Sequence, residues 1–151
     1  MDERDKMLSG ACLCGAVRFT AKGRFGAVSV CHCTQCRRWH GAPGSYTSVR
    51  RDRLVFQNES GLAWYRSSDR ARRGFCRDCG TSLFWEETGA PHLALAMGCL
   101  DRPTGLREQL HIFTAHKGDY YDIADGLPPP YGFPAIGAGR RQCRNSRPCG
   151  R

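Results

Sequence analysis

The feature that most constrains this chain is the arrangement of its cysteines. The sequence carries ten, and seven of them fall into short, regularly spaced groups. Cys12-Leu13-Cys14-Gly15 and Cys76-Arg77-Asp78-Cys79-Gly80 are two pairs. Cys31-His32-Cys33-Thr34-Gln35-Cys36 places three thiols in six residues. Cysteine at this density belongs either to a disulfide scaffold in an oxidising compartment or to metal binding in a reducing one. The first ten residues, MDERDKMLSG, are charged and lack an apolar stretch, so no signal peptide is visible. The longest apolar run, Leu93 to Met97, is too short to span a bilayer. The expectation is a cytoplasmic protein without a membrane segment, whose reduced thiols hold metal.

The two pairs together make four thiolates, enough to saturate a tetrahedral metal. Zinc with Zn–S bonds of about 2.3 Å needs sulfurs roughly 3.8 Å apart. A C-x-x-C turn supplies that separation, and a glycine behind it permits the left-handed backbone the turn needs. A C-x-C pair points both sulfurs to one side of an extended chain and closes the gap by bending. Cys12, Cys14, Cys76 and Cys79 therefore read as a closed, structural zinc site that clips the fold. Cys31, Cys33 and Cys36 read as a second, three-thiolate zinc site with an exchangeable fourth position. The spacing leaves alternatives. His40, four residues after Cys36, or Cys99, from a distant strand, could close this site, and cysteines at short spacing also serve iron–sulfur clusters. His32 points away from its flanking cysteines in an extended chain, so packing or hydrogen bonding is its expected role. His92, His111 and His116 have no partner pattern and are expected in core or surface roles.

The rest of the sequence reads as short β-type runs divided by Gly, Pro, Asp and Ser. They are 16–20, 27–32, 46–49, 53–57, 63–66, 73–76, 82–86, 92–97 and 109–115. Residues 34–39 could form one or two helical turns, with Thr34 as the cap. The expectation is an all-β domain over residues 8–134 with one short helical turn. Residues 135–151 follow as a basic tail, expected to be disordered. Of the net charge of +9, that tail carries five arginines (140, 141, 144, 147 and 151), leaving +4 on the rest. A nucleic-acid contact is accordingly expected only through the tail. Cys143 and Cys149 in the tail are given no site.

Four segments carry a resemblance: GACLCGAVRF, CHCTQCRRWHGAPGS, GFCRDCGTSLFW and HIFTAHKGDYYDIADGLP. Together they resemble the glutathione-dependent formaldehyde-activating enzyme family, which includes centromere-protein-V-like zinc domains, over residues 10–134. The resemblance implies an all-β, tent-like, zinc-binding fold with two zinc ions per chain. It implies a structural zinc at Cys12, Cys14, Cys76 and Cys79 and a catalytic one at Cys31, Cys33 and Cys36. It also implies a carbon–sulfur lyase-type activity on a thiol adduct such as S-hydroxymethylglutathione, with a glutathione-like thiol as partner. Arg37, Arg38, Arg72 and Arg73 are candidates for binding the carboxylates of such a thiol. The alternative is a non-catalytic zinc module that binds protein or nucleic acid.

Overall fold

A computed structural model describes residues 6–127. The basic tail, with Cys143 and Cys149, lies outside them. Ten strands and one short helix follow one another: β1 (Met7–Ala11), β2 (Arg18–Lys22), β3 (Val28–Cys31), α1 (Thr34–His40), β4 (Gly44–Arg50), β5 (Leu54–Asn58), β6 (Leu62–Arg66), β7 (Ala71–Cys76), β8 (Ser82–Glu87), β9 (His92–Ala96) and β10 (Glu108–Ile112). The all-β expectation with one short helical turn is borne out: the described residues are mostly strand, with α1 as their one α-helix. No helix among the described residues is long and apolar enough to cross a membrane.

The strands make two sheets. A three-stranded sheet runs β1-β2-β5, and a seven-stranded sheet runs β10-β3-β4-β9-β8-β7-β6. Neighbours are antiparallel except β10 and β3, which run parallel, with His111 opposite Val30 and Ile112 opposite Cys31. The alternation of each strand sorts its residues between core and surface. In β2, Phe19 and Ala21 are buried while Arg18 and Lys22 are exposed. Phe19 and Phe56 of the small sheet meet Phe84 of the large one edge-on, at centroid distances of 5.1 and 5.8 Å. Leu83, Leu93 and Leu95 complete this inter-sheet core.

Strand β1 was not expected, and its composition explains why. Only Leu8 and Gly10 face inward, and Gly10 lies where a Cβ would stand 2.5 Å from Cζ of Phe19. A strand that buries a glycine carries little apolar signal. Helix α1 begins as expected, but its cap is Cys33 rather than Thr34: the Cys33 sulfur accepts the Cys36 N–H at 3.4 Å. The helix ends at Gly41, whose φ of 74° is left-handed and whose N–H reaches the Arg37 carbonyl.

Candidate metal centres

The turn after β1 and the turn after β7 bring Cys12, Cys14, Cys76 and Cys79 together, one sulfur from each within 4.8 Å of the others. The Cys12 and Cys14 sulfurs are 3.6 Å apart and those of Cys14 and Cys76 are 3.7 Å apart, the spacing of ligands on one tetrahedral ion. Both turns end on a glycine with positive φ, 82° at Gly15 and 76° at Gly80. The N–H of each returns to the carbonyl of the first cysteine of its pair. The cluster thus joins the hairpin of the small sheet to a hairpin of the large one. The Thr81 hydroxyl beside Cys79 is the leading influence that pulls its thiol down to about 5, which favours a thiolate there at neutral pH.

The second cluster is local. Cys31 ends β3, Cys33 caps α1 and Cys36 lies in the first helical turn, and their sulfurs are all within 4.8 Å of one another. Cys31 and Cys36 are buried and Cys33 is half-buried. The candidates for a fourth ligand are engaged elsewhere. His40 Nε2 is 2.6 Å from the Tyr46 hydroxyl. The Cys99 thiol lies in the inter-sheet core and donates to the Ala96 carbonyl at 3.0 Å. Among the described residues the cluster contains three metal-binding groups and no fourth.

Electrostatics couples these three sulfurs. Hydrogen bonds from Cys31 and then Cys36 hold the Cys33 thiol far below the ordinary thiol range, and hydrogen bonding to Cys33 pushes Cys31 far up. One thiolate forms readily, and each further one is opposed by the first. A divalent cation at the centre removes that opposition. Arg73 adds an independent observation. It is 4% exposed, with Nη2 3.6 Å from the Cys36 sulfur and 3.5 Å from Gln35 Oε1. Its Nη1 is buried with no hydrogen-bond partner. A buried guanidinium needs nearby negative charge, and the sulfur cluster is what faces it. Both cysteine sets therefore fit a metal ion.

The four arginines singled out from the sequence have different roles. Arg72 is paired with Glu86 and lies over the Trp64 ring at 4.1 Å. Arg37 Nε donates to the His116 carbonyl at 3.1 Å, and Arg38 is exposed on α1. Only Arg73 is buried. Sequence reasoning missed a further arrangement beside the cluster. His32, buried between two of the cysteines, is within 2.7 Å of the Tyr121 hydroxyl through Nδ1 and 2.8 Å of His111 Nδ1 through Nε2. His111 Nε2 in turn meets Asp125 at 2.8 Å. Alternation predicts that His32 points away from the cysteines, but nothing in the spacing names its partners, which lie some eighty residues on.

The chain is similar to known proteins. The chain is 27% identical over 130 residues to a putative glutathione-dependent formaldehyde-activating enzyme of Halomonas elongata, covering 78% of this chain and 81% of that one. It is 38% identical over 79 residues to an uncharacterized lyase of Schizosaccharomyces pombe, covering 52% of this chain and 57% of the yeast protein. The match therefore spans little more than half the length of that relative. A crystal structure of a Rhodobacter sphaeroides protein superposes with a TM-score of 0.52 at 25% identity, covering 62% of this chain and 88% of that one. The family description "glutathione-dependent formaldehyde-activating enzyme" matches residues 7–116, more than half of the chain and inclusive of both cysteine clusters. The chain belongs to the glutathione-dependent formaldehyde-activating enzyme family.

Proposed function

We propose that this protein is a zinc-dependent carbon–sulfur lyase-type enzyme acting on a thiol adduct such as S-hydroxymethylglutathione. In this reading Cys12, Cys14, Cys76 and Cys79 would hold a structural zinc, and Cys31, Cys33 and Cys36 would hold a second one whose remaining position is open to a substrate sulfur. Bound there, zinc would lower the pKa of an incoming thiol so that it is held as thiolate at neutral pH. The thiolate sulfur would add to the carbonyl carbon of the aldehyde: one C–S bond forms as the C=O π bond opens, and the carbonyl oxygen takes up the proton that the thiol released on ionising. The reverse step breaks that bond and returns thiol and aldehyde. The chain's own residues position the reacting sulfur: the Cys33 cap and the first turn of α1 hold three sulfurs in one place, and Arg73 supplies positive charge behind them. Residues 8–134 are taken as the unit that carries the activity, and a cytoplasmic location suits its thiols.

The observation that carries this reading is the three-cysteine cluster with both candidate fourth ligands turned to other partners. A cluster closed by His40 or Cys99 would favour a non-catalytic module instead. The test is cobalt substitution. Cobalt-loaded protein titrated with glutathione should change its visible absorption as the fourth ligand changes, and Cys33→Ser should abolish the response while its far-UV circular dichroism stays native. A parent protein that shows no change with glutathione or any other small thiol would rule this function out in favour of the module.

A further inference from the structure

Strand β7 reads ARRGFC, and its alternation sends consecutive arginines to opposite faces. Arg72 goes to the side of Glu86 and Trp64. Arg73 goes under α1. There Trp39 stacks on Tyr65 at 5.8 Å, meets Phe75 edge-on at 5.6 Å and donates to Ser82 Oγ at 2.7 Å. The helix thus covers the Arg73 guanidinium, whose charge is permanent. Its Cζ is 5.8 Å from the Trp39 ring centre. Nη2 reaches the Cys36 sulfur, Nη1 has no partner, and no carboxylate pairs with it among the described residues.

Charge counting gives this placement a consequence. Three thiolates and one divalent ion sum to −1, and a fourth, incoming thiolate takes the sum to −2. In the four-cysteine cluster that charge is eased by water, because Cys14 is exposed and Cys79 half-buried. The three-cysteine cluster is more deeply buried, and Arg73 is the cation that faces it. Resting on the function proposed above, we propose that Arg73 is the residue that selects an anionic ligand for the three-cysteine site. Its guanidinium offsets one of the two negative charges of the thiolate-filled cluster and leaves a net −1, so that an anion such as a thiolate can join without leaving two uncompensated negative charges in a buried place. A neutral ligand gains nothing from it.

The experiment compares two probes on the two-metal, cobalt-loaded protein at about pH 8, where imidazole is neutral. Glutathione and imidazole affinities are read from the visible spectrum for the parent, Arg73→Gln and Arg73→Lys. The inference expects Arg73→Gln to weaken glutathione on the order of tenfold or more, with imidazole within about twofold of the parent. Arg73→Lys should recover part of the glutathione affinity. Equal weakening of both probes would assign Arg73 a merely structural role and overturn the inference, and so would unchanged affinity for both. If Arg73→Gln does not fold with two metals, Arg73→Lys decides. Lysine keeping two metals and the preference for glutathione supports the inference, and lysine losing either overturns it. A parent protein that binds imidazole and not glutathione overturns the proposed function along with it. A parent that binds glutathione while Arg73→Gln binds it equally well overturns only this inference.

Discussion

His32 and His111 share a hydrogen bond of 2.8 Å between Nε2 and Nδ1 in the interior, and that bond ties the loop of the three-cysteine cluster to the last described strand. Burial is the main influence that holds the His32 pKa down, so the ring is neutral at pH 7. The Leu127 N–H and then His111 hold the Asp125 carboxyl down. With the His32 ring neutral, an assignment that satisfies every atom is Tyr121 O–H to His32 Nδ1, His32 Nε2–H to His111 Nδ1, and His111 Nε2–H to Asp125. The chain links β3, β10 and residues 121–125. Tyr121→Phe removes its first donor and leaves a buried nitrogen unpaired. Urea unfolding should show a loss of about 1–3 kcal/mol, with metal content unchanged. Parent-like stability would mean that the hydroxyl contributes nothing to the fold.

The two cysteine clusters should part company under chelation. One bridges two sheets through hairpins far apart in sequence; the other closes on itself within residues 31–36. Elemental analysis of fresh protein should give two zinc ions per chain. A mild chelator should remove the second first, leaving the far-UV spectrum intact. Cys76→Ser, at a fully buried sulfur, should instead unfold or aggregate the protein. Simultaneous loss of both metals with unfolding would erase the distinction between a structural and an exchangeable site.

How much of this was legible follows from how local each feature is. Cys31, Cys33 and Cys36 form their cluster within one turn of chain, so their spacing alone proposes it. Each half of the other cluster is equally local, and only the pairing of the halves is long-range. Most strands were readable from alternation at such positions as Phe19 and Leu95. The cap at Cys33 was not, because sulfur is not among the usual capping atoms. Nor was the parallel pairing of β10 with β3, which depends on a connection that alternation does not encode. Arg73 was legible only as one of four candidates for binding the carboxylates of a thiol, and its burial depends on α1 lying across β7, a tertiary contact. His111 was expected in a core or surface role, and its place between His32 and Asp125 depends on two segments meeting in space.

A pH dependence should be traceable to His40. Burial is the main influence lowering its pKa, and the Arg73 charge adds to it. Its partner Tyr46 is pushed up to about 12 by burial, so the phenol keeps its proton and can donate to a neutral His40. On acidification the unfolded chain takes up a proton at the ordinary histidine value of about 6.5, before the folded chain does. His40 therefore supports the fold fully at pH 7 and above, and this support shrinks as pH falls below about 6.5. His40→Gln can still accept the Tyr46 hydrogen bond and does not titrate. Its unfolding free energy should fall less steeply than the parent's between pH 7 and 5.5. Equal slopes would show that the acid loss arises elsewhere.

Gly61 should matter to the four-cysteine cluster although it carries no side chain. It lies just before β6, between the two cysteine turns. Its N–H reaches the Ala16 carbonyl at 3.1 Å, and its own carbonyl receives the Arg77 N–H at 2.8 Å. A Cβ at this position would stand 2.8 Å from the Ala16 Cβ, 2.9 Å from the Cys76 sulfur and 3.2 Å from an Asp78 carboxylate oxygen. Ala16 follows Cys12 and Cys14, and Cys76 is itself a member of the four-cysteine cluster, so neither can retreat without moving the cluster. Overpacking of this kind costs about 1–3 kcal/mol. Gly61→Ala should therefore lower the midpoint of chemical unfolding and speed the release of the structural metal to a chromogenic chelator. Glutathione binding at the three-cysteine site, which shares no residue with this contact, should be unchanged in the metal-saturated variant. A variant that releases its structural metal at the parent rate would mean that the turns can spread apart freely, and that the close approach of Gly61 does not set the geometry of the four sulfurs.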